Sequence, residues 1–439
     1  MSQIDRYLDE HAVDIPESET LPSPSSELRA SVVIPAYDER ETIETVIDSL
    51  AQTATPPAAF ELIVAVNNPT DAPSEAREAN RATIALLEGR EEDFPIHVID
   101  RATEGAAFPA DDAGVGRARR LAMDLAVRRL AEAGVGSRGV IPCLDGDSPP
   151  APGYLDAILE AFGRADGQTH AGVCRHRHPI PGRPEHARAI VAYETWMRYF
   201  ELGMHLAETP YAYQAIGSCM VLTAGGYALA DGVPPREALS DFYLLQKIAK
   251  VGGRGAVAQL EEPLVYPSAR PSERVPRGTG PSVRHSIEAS GETRFEMVEP
   301  PSVFIDLQAF FSGLEEGFAN PHALRSGTPR RLADFIERWD GWRTLEKLRT
   351  HAPGPAHFAR HVHQWFDGLK IVKYANRCSR RGSRVGIFRA VRRLLEAHGR
   401  PEIAGSVPDA APESASLDQR RTLLELLRDH ELDFHPTLL

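Results

Sequence analysis

Asp145 and Asp147 stand one residue apart in LDGDS at 144–148, where a short apolar run ends. Two carboxylates at that spacing on a strand-to-loop turn can converge on one hard divalent cation, Mg²⁺ or Mn²⁺. Gly146 between them lets a ligand come close to the backbone. A cation held there would bridge a nucleotide diphosphate and neutralise a leaving group. Asp and Gly are also ordinary turn formers, so the weight of the triplet depends on its surroundings. VIPAYDERETI at 33–43 brings Pro35, Ala36 and Tyr37 to the end of a first strand, with Asp38 and Glu39 leading towards a helix. VNNPTD at 66–71 sets the amides of Asn67 and Asn68 at the end of a second. DDAGVGRARRLAMDLA at 111–126 opens a helix bearing Arg117, Arg119 and Arg120. A helix N-terminus beside arginine suits a diphosphate. Together these groups describe a nucleotide-sized polar edge.

The elements that must position them are legible as alternating patterns. Apolar, β-branched runs at 31–36, 60–66, 96–100 and 139–145 read as strands. Between them, Ile43, Val46, Ile47 and Leu50, then Leu121, Leu125, Ala126 and Leu130, carry helical spacing. Strand–helix alternation implies βαβ units and a mainly parallel sheet, with the strands' C-terminal ends on one ligand-binding edge. Further on, 184–207 reads as an aromatic-rich helix, 215–223 as a strand, Gly225-Gly226 as a turn and 236–251 as a helix. Beyond about residue 300 helical patterns dominate. The chain therefore divides into a tail or short leading helix over 1–29, an α/β domain over 30–295 and a mainly helical region over 296–439. A linker is expected near 401–416.

Composition excludes several classes. The 439 residues are 42 % hydrophobic and 25 % charged, as in an average globular protein. The formal net charge of −13 disfavours coating of nucleic acid or of an anionic membrane. No apolar run approaches the ~18 residues of a transmembrane helix, and the N-terminus lacks a secretory pattern. Four scattered cysteines, with no CxxC pair, point to a reducing cytoplasm. Cys143 and Cys219 lie in apolar runs and read as core.

These motifs resemble the GT-A-fold glycosyltransferases, specifically family 2, over roughly residues 30–270. VVIPAYDE at 32–39 resembles the family's opening strand, with Asp38 where Asn is usual, and Asn67-Asn68-Pro69-Thr70-Asp71 stands where it has Asp-Asp-Gly-Ser. Gly114–Arg120 resembles its Gly-to-Arg helix start, and Asp145-Gly146-Asp147 its D-x-D motif. Gly217-Ser218, Gly225-Gly226-Tyr227, Ser240-Asp241 and Gly252 follow in the family's order, with Ser240 in place of the customary Glu. The resemblance implies a Rossmann-like sheet and a nucleoside-diphosphate sugar donor of UDP or GDP type. It also implies Mg²⁺ or Mn²⁺ on Asp145 and Asp147, and inverting transfer to a small-molecule, glycan or lipid-linked hydroxyl. Donor contacts fall to Pro35, Ala36, Tyr37, Glu39, Asn67, Asn68, Arg117, Asp145 and Gly146. Asp241 is the expected base, although an N-cap is an ordinary role for it. A retaining relative, a sugar-phosphate nucleotidyltransferase and a non-catalytic binding subunit are the alternatives. The stretch AYDERE after the first strand, free of glycine, speaks against the nucleotidyltransferase.

Residues 267–281 form an Arg/Pro/Gly-rich loop in which Arg270, Arg274, Gly278 and Gly280 would serve acceptor binding or closure. His285 could complete the metal shell, as a histidine does in some GT-A enzymes. His176 and His178 are expected at the surface or in an acceptor groove. Residues 370–393 carry nine basic residues among apolar ones. They read as a packed helical region with a solvated face, or as a peripheral membrane contact. Trp339, Trp342 and Trp365 are expected in that region's core. A homodimer is compatible with all of this.

Overall fold

The structure is a computed structural model that describes residues 2–15, 20–165, 167–234, 239–275, 277–289, 295–380 and 383–435. The chain forms two compact units. Among the described residues, one comprises the chain up to Pro179 together with Ala215–Pro281; the other comprises Ile180–Gln214 and the chain from Ser282 to His435. This differs from one cut near 295, because the helix over 184–206 groups with the later helices.

In chain order the first unit holds α1 (Gln3–Glu10), β1 (Ala30–Ala36), α2 (Ile43–Ala51), β2 (Phe60–Asn67), α3 (Ser74–Glu88), β3 (Ile96–Arg101), α4 (Val115–Glu132), β4 (Val140–Pro142), α5 (Tyr154–Arg164) and β5 (Ala171–His176). After α6 (Pro184–Leu206), which belongs to the second unit, come β6 (Met220–Thr223), α7 (Ala224–Leu229), α8 (Ser240–Gly252) and β7 (Val257–Val265) of the first unit, then α9 (Thr279–Glu288), which begins in the first unit and continues in the second from Ser282. The seven strands lie in the order β3-β2-β1-β4-β6-β5-β7. All run parallel except β6, which is antiparallel to both β4 and β5. Every residue of β1 and β2 is buried, as befits parallel strands covered on both faces. The run at 215–223 is a strand only from Met220, and Gly217–Cys219 form a 3₁₀ turn before it. Gly225 and Gly226 lie inside α7 rather than in a turn. A Cβ on Gly226 would stand 2.4 Å from the His170 carbonyl oxygen, so close packing selects that glycine.

At the edge away from the motifs, Glu61 anchors the sheet to α4. Its carboxylate accepts hydrogen bonds from Arg129 Nε at 2.8 Å and Nη2 at 2.7 Å, and from Ser31 Oγ at 2.8 Å, with His97 Nε2 at 3.3 Å. Burial pushes Glu61 up, but His97 and Arg129 hold it below its ordinary value. The N-terminal stretch opens with a short packed helix, α1, the second of the two forms expected for it. Tyr7 and Tyr227 both donate to buried Asp124 at 2.6 Å, and Val13 N donates to the same carboxylate at 2.9 Å. Residues 16–19 of that stretch lie outside the described residues. His176 and His178 are buried, edge to face at 5.5 Å, and not at the surface.

The second unit continues with β8 (Met297–Val298), α10 (Ser302–Ser312), α11 (Leu314–Ala319), α12 (Pro321–Gly327), α13 (Arg330–Glu337), α14 (Gly341–His351), α15 (Pro355–Trp365), α16 (Gly368–Ser379), β9 (Val385–Gly386), α17 (Ile387–Ala397), α18 (Pro401–Gly405) and α19 (Leu417–Asp429). Helix α19 docks on α6 through Arg428, which grips Glu194 at 2.6 and 2.8 Å. In the basic stretch, Ile371, Ile387, Phe388 and Val391 are buried while Lys373, Arg380, Arg389 and Arg393 are exposed. Arg381 lies outside the described residues. The expected linker begins as α18, with Ile403, Ala404 and Val407 buried. The tryptophans are not core: Trp339 is 45 % exposed, with Lys373 over its ring at 4.8 Å. Among the described residues no helix is long and apolar enough to cross a membrane.

The Glu61 cluster yields a stability prediction. Glu61→Gln leaves Arg129 buried beside a neutral partner, so urea unfolding should show a loss of about 3–5 kcal/mol. Because the Glu61 carboxyl is held low in the fold, the loss should be full above the ordinary carboxylate range and shrink as pH falls through the folded value. A loss independent of pH down to full protonation would contradict this assignment.

Candidate active site

The parallel register of β1 with β2 and β4 opens their C-terminal ends on one edge, and antiparallel β6 brings its N-terminal end there too. Cys143 closes the β1 side by a bridge to Val33, after which Asp145, Gly146 and Asp147 form the turn. Ser148 N donates to the Asp145 carbonyl at 3.1 Å and shapes that turn. A Cβ on Gly146 would lie 2.8 Å from Glu39 Cγ, so the glycine makes room for Glu39 beneath the loop.

Arg119 of α4 is the centre of the site. Its side chain is 4 % exposed, its Nη2 donates to Asp145 Oδ1 at 3.1 Å and its Nη1 donates to Ser240 Oγ at 2.7 Å. Ser240 starts α8, and Asp241 follows it in the first turn. No side chain caps α8; Asp241 Oδ1 instead accepts from Phe242 N at 2.8 Å. Burial raises the Asp241 carboxyl above its ordinary value, with Arg119 pulling the other way. Asp145 is raised likewise, by burial first and then by the charges of Asp147 and Asp241, again against Arg119.

A second pair of arginines closes over the acidic edge. Arg270 Nη2 lies 2.5 Å from Glu39 Oε2 and 2.8 Å from Asp147 Oδ2. Arg274 Nη1 reaches Glu39 Oε1 at 2.7 Å and donates to the Tyr37 and Asp38 carbonyls at 2.8 and 2.9 Å. Burial and then the Asp147 charge push Glu39 up, while Arg270 pulls it down. The loop after β7 is therefore bound to the β1 and β4 ends. Gly278 has φ +117°, a conformation that favours glycine, but Gly280 lies inside α9, where a Cβ would meet Ser272 Cβ at 2.7 Å. Gly280 is thus a packing position and not a flexible one.

Other expected residues divide clearly. Pro35 and Ala36 are buried at the end of β1, and Tyr37 beyond them is half-buried. Asn67 and Asn68 are turned into the fold. Asn67 Nδ2 donates to the Ala36 carbonyl at 3.0 Å, while Asn80 Nδ2 donates to Asn68 Oδ1 at 2.9 Å and to the Asn67 carbonyl at 3.0 Å. Arg117 points away from the carboxylates; it pairs with Asp112 and stacks over Phe108 at 4.7 Å. His285 sits in the last turn of α9, within the second unit. Sequence reasoning missed the central place of Arg119, the partnership of Ser240 with it and the bridging by Glu39. A signal existed for the first: Arg119 shares a helical face with Ala122, Met123 and Ala126, whereas Arg117 lies beside Arg120.

Residues 31–223 match the profile of glycosyl transferase family 2. No curated protein matches the sequence. Similar solved structures include S. aureus TarS 1-349 in complex with UDP-GlcNAc, at 13 % identity, 92 % of each chain and a TM-score of 0.39. A mannosyltransferase, PcManGT, from Pyrobaculum calidifontis in complex with GDP-Man and Mn²⁺ is 15 % identical, covers 98 % of this chain and 92 % of its own, and has a TM-score of 0.37. Glucosyl-3-phosphoglycerate synthase from Mycobacterium tuberculosis, with Mn²⁺, UDP and glucosyl-3-phosphoglycerate, is 19 % identical over 62 % of this chain and 79 % of its own, with a TM-score of 0.32.

The Arg119 geometry is open to direct test through its neighbour. A Cβ at Gly217 would stand 2.4 Å from Arg119 Nη2. Gly217→Ala should displace the guanidinium and lower kcat by about 10²-fold, the scale of a misplacement near 1 Å. Circular dichroism should show the fold retained. Unchanged kcat would show that Arg119 does not position the site.

Proposed function

We propose, from the premise that this chain belongs to glycosyl transferase family 2 through residues 31–223, that it moves the sugar of a nucleoside diphosphate to a hydroxyl acceptor with inversion. The chain is a glycosyltransferase of GT-A fold. The observation that carries the finer reading is the convergence on one guanidinium: Arg119 joins Asp145 to the start of α8, where Asp241 stands.

The residues fit a hard divalent cation. Asp145 and Asp147 offer oxygen donors only, and Asp147 already accepts a positive group, the Arg270 guanidinium at 2.8 Å. Mg²⁺ or Mn²⁺ would be held by Asp147 with Asp145 beside it, and when bound it supplies charge neutralisation for the diphosphate. Arg270 and Arg274, drawn from Glu39 and Asp147, would turn to the donor phosphates and exclude water. Arg119 keeps Asp145 ionised against its burial and holds the first turn of α8 in place. Asp241, raised by its surroundings, is a better proton acceptor than an ordinary aspartate. It takes the proton of the acceptor hydroxyl as that oxygen bonds to the anomeric carbon. The bond from that carbon to the diphosphate oxygen breaks with its electron pair, and the nucleoside diphosphate leaves. Attack opposite the leaving group inverts the configuration. The four cysteines are free and buried, which suits a reducing cytoplasm.

Asp241→Asn should lower kcat by about 10²–10⁴-fold with donor affinity nearly unchanged, since its work is on the acceptor's proton. Asp147→Asn, or excess chelator, should abolish transfer and weaken nucleoside-diphosphate binding in calorimetry with Mn²⁺. The product's anomeric configuration, read by NMR, should be opposite to the donor's. Retained configuration would remove Asp241 from the role of base, and full turnover in chelator would remove the cation.

A further inference from the structure

Besides these motifs, the second unit gathers a different donor set. Glu201 and His205 lie one turn apart on α6, and His435 follows the 3₁₀ turn after α19. One ligand atom from each lies within 4.8 Å of the other two. His435 Nε2 is 3.4 Å from Glu201 Oε1, and His205 Nε2 is 4.0 Å from it. The imidazole rings face edge to face at 4.2 Å between centroids. We propose that Glu201, His205 and His435 form a zinc site that ties the segment after α19 to α6.

Three observations support it. First, the atoms aimed at the centre have no other work: Glu201 Oε1 and His205 Nε2 are buried without a hydrogen-bond partner. Their side chains are only 9 % and 5 % exposed. Leaving two such polar atoms buried and unmatched is destabilising, and a shared cation would satisfy both. Second, the outer shell is built. Gln214 Nε2 donates to Glu201 Oε2 at 2.8 Å and so turns Oε1 inward, the arrangement that orients a metal-binding carboxylate. Third, the segment carrying His435 is already held. Glu431 pairs with Arg198 of α6, and the Phe434 ring packs on His398 at 4.8 Å.

The chemistry selects the ion. Two imidazoles and one carboxylate suit a borderline metal rather than Mg²⁺ or Ca²⁺, which want oxygen shells. Tetrahedral zinc with bonds of about 2.0–2.1 Å separates its ligands by about 3.4 Å, close to the spacings here. Arg198, Glu431 and His398 are the other titratable groups facing the cluster.

The test is zinc content by plasma mass spectrometry on the 439-residue chain reconstituted with zinc sulfate and then dialysed. Wild type and Asp147→Asn should each hold about one zinc per chain, while Glu201→Gln and His435→Gln lose it. Zinc added to metal-stripped wild type should raise Tm, and not that of His435→Gln. His435 follows a 3₁₀ turn and lies outside the helices, so its variant is the control should Glu201→Gln fail to fold. Gln214→Ala should weaken zinc about 10–100-fold. Absence of zinc from reconstituted wild type, its loss in Asp147→Asn, or its retention in His435→Gln would overturn the site.

Discussion

Everything at the carboxyl edge depends on one constraint: acidic groups are crowded where water is scarce, and guanidinium groups must offset their charge. Glu39, Asp145, Asp147 and Asp241 face Arg119, Arg270 and Arg274. Arg119 is the fixed member, 4 % exposed and bonded in two directions. Arg270 and Arg274 are the adjustable ones, 34 % and 23 % exposed on a loop. A rigid cation and two movable ones allow the same acidic edge to exist before and after a ligand arrives.

The topology makes that crowding attainable. Parallel β1, β2 and β4 deliver their loops to one edge, but α4 must bring a long side chain across to β4 without obstruction. Gly217, in the turn before antiparallel β6, clears the path; any side chain there would collide with Arg119. Gly146 does the same for Glu39. The reversal of β6 thus has a functional consequence, since its N-terminal turn lands among the C-terminal ends of its neighbours.

Much of this was legible in the sequence. Apolar runs located β1, β2 and β3 within a residue or two: β1 and β2 are buried on both faces, which leaves little choice of residue, and β3 has buried His97 and Ile99 between half-buried neighbours. LDGDS and Ser240-Asp241 were identified by type and spacing. What escaped was set by tertiary contact. Asn67 and Asn68 read as ligand amides, yet their own backbone neighbours and Asn80 take them up. Arg117 and Arg119 differ by two positions, about 200° around a helix, and only the buried face reaches the carboxylates. The glycines at 225, 226 and 280 looked like turns, and each proved to be a place where another chain segment passes too close for a Cβ.

Ser240 shows how such a site can change one member and keep its logic. A serine at the start of α8 accepts from Arg119 at 2.7 Å without adding another negative charge beside Asp145 and Asp241. A glutamate at the same place would add a carboxylate to a region where burial already raises both aspartates. It would also compete with Asp145 for the one buried guanidinium. The hydroxyl keeps the geometric link between α4 and α8 and leaves the charge of Arg119 to Asp145 and Asp241. Departure from the family's usual residue is therefore compatible with retention of Asp241, because the link between the two helices needs an acceptor there and does not need a charge.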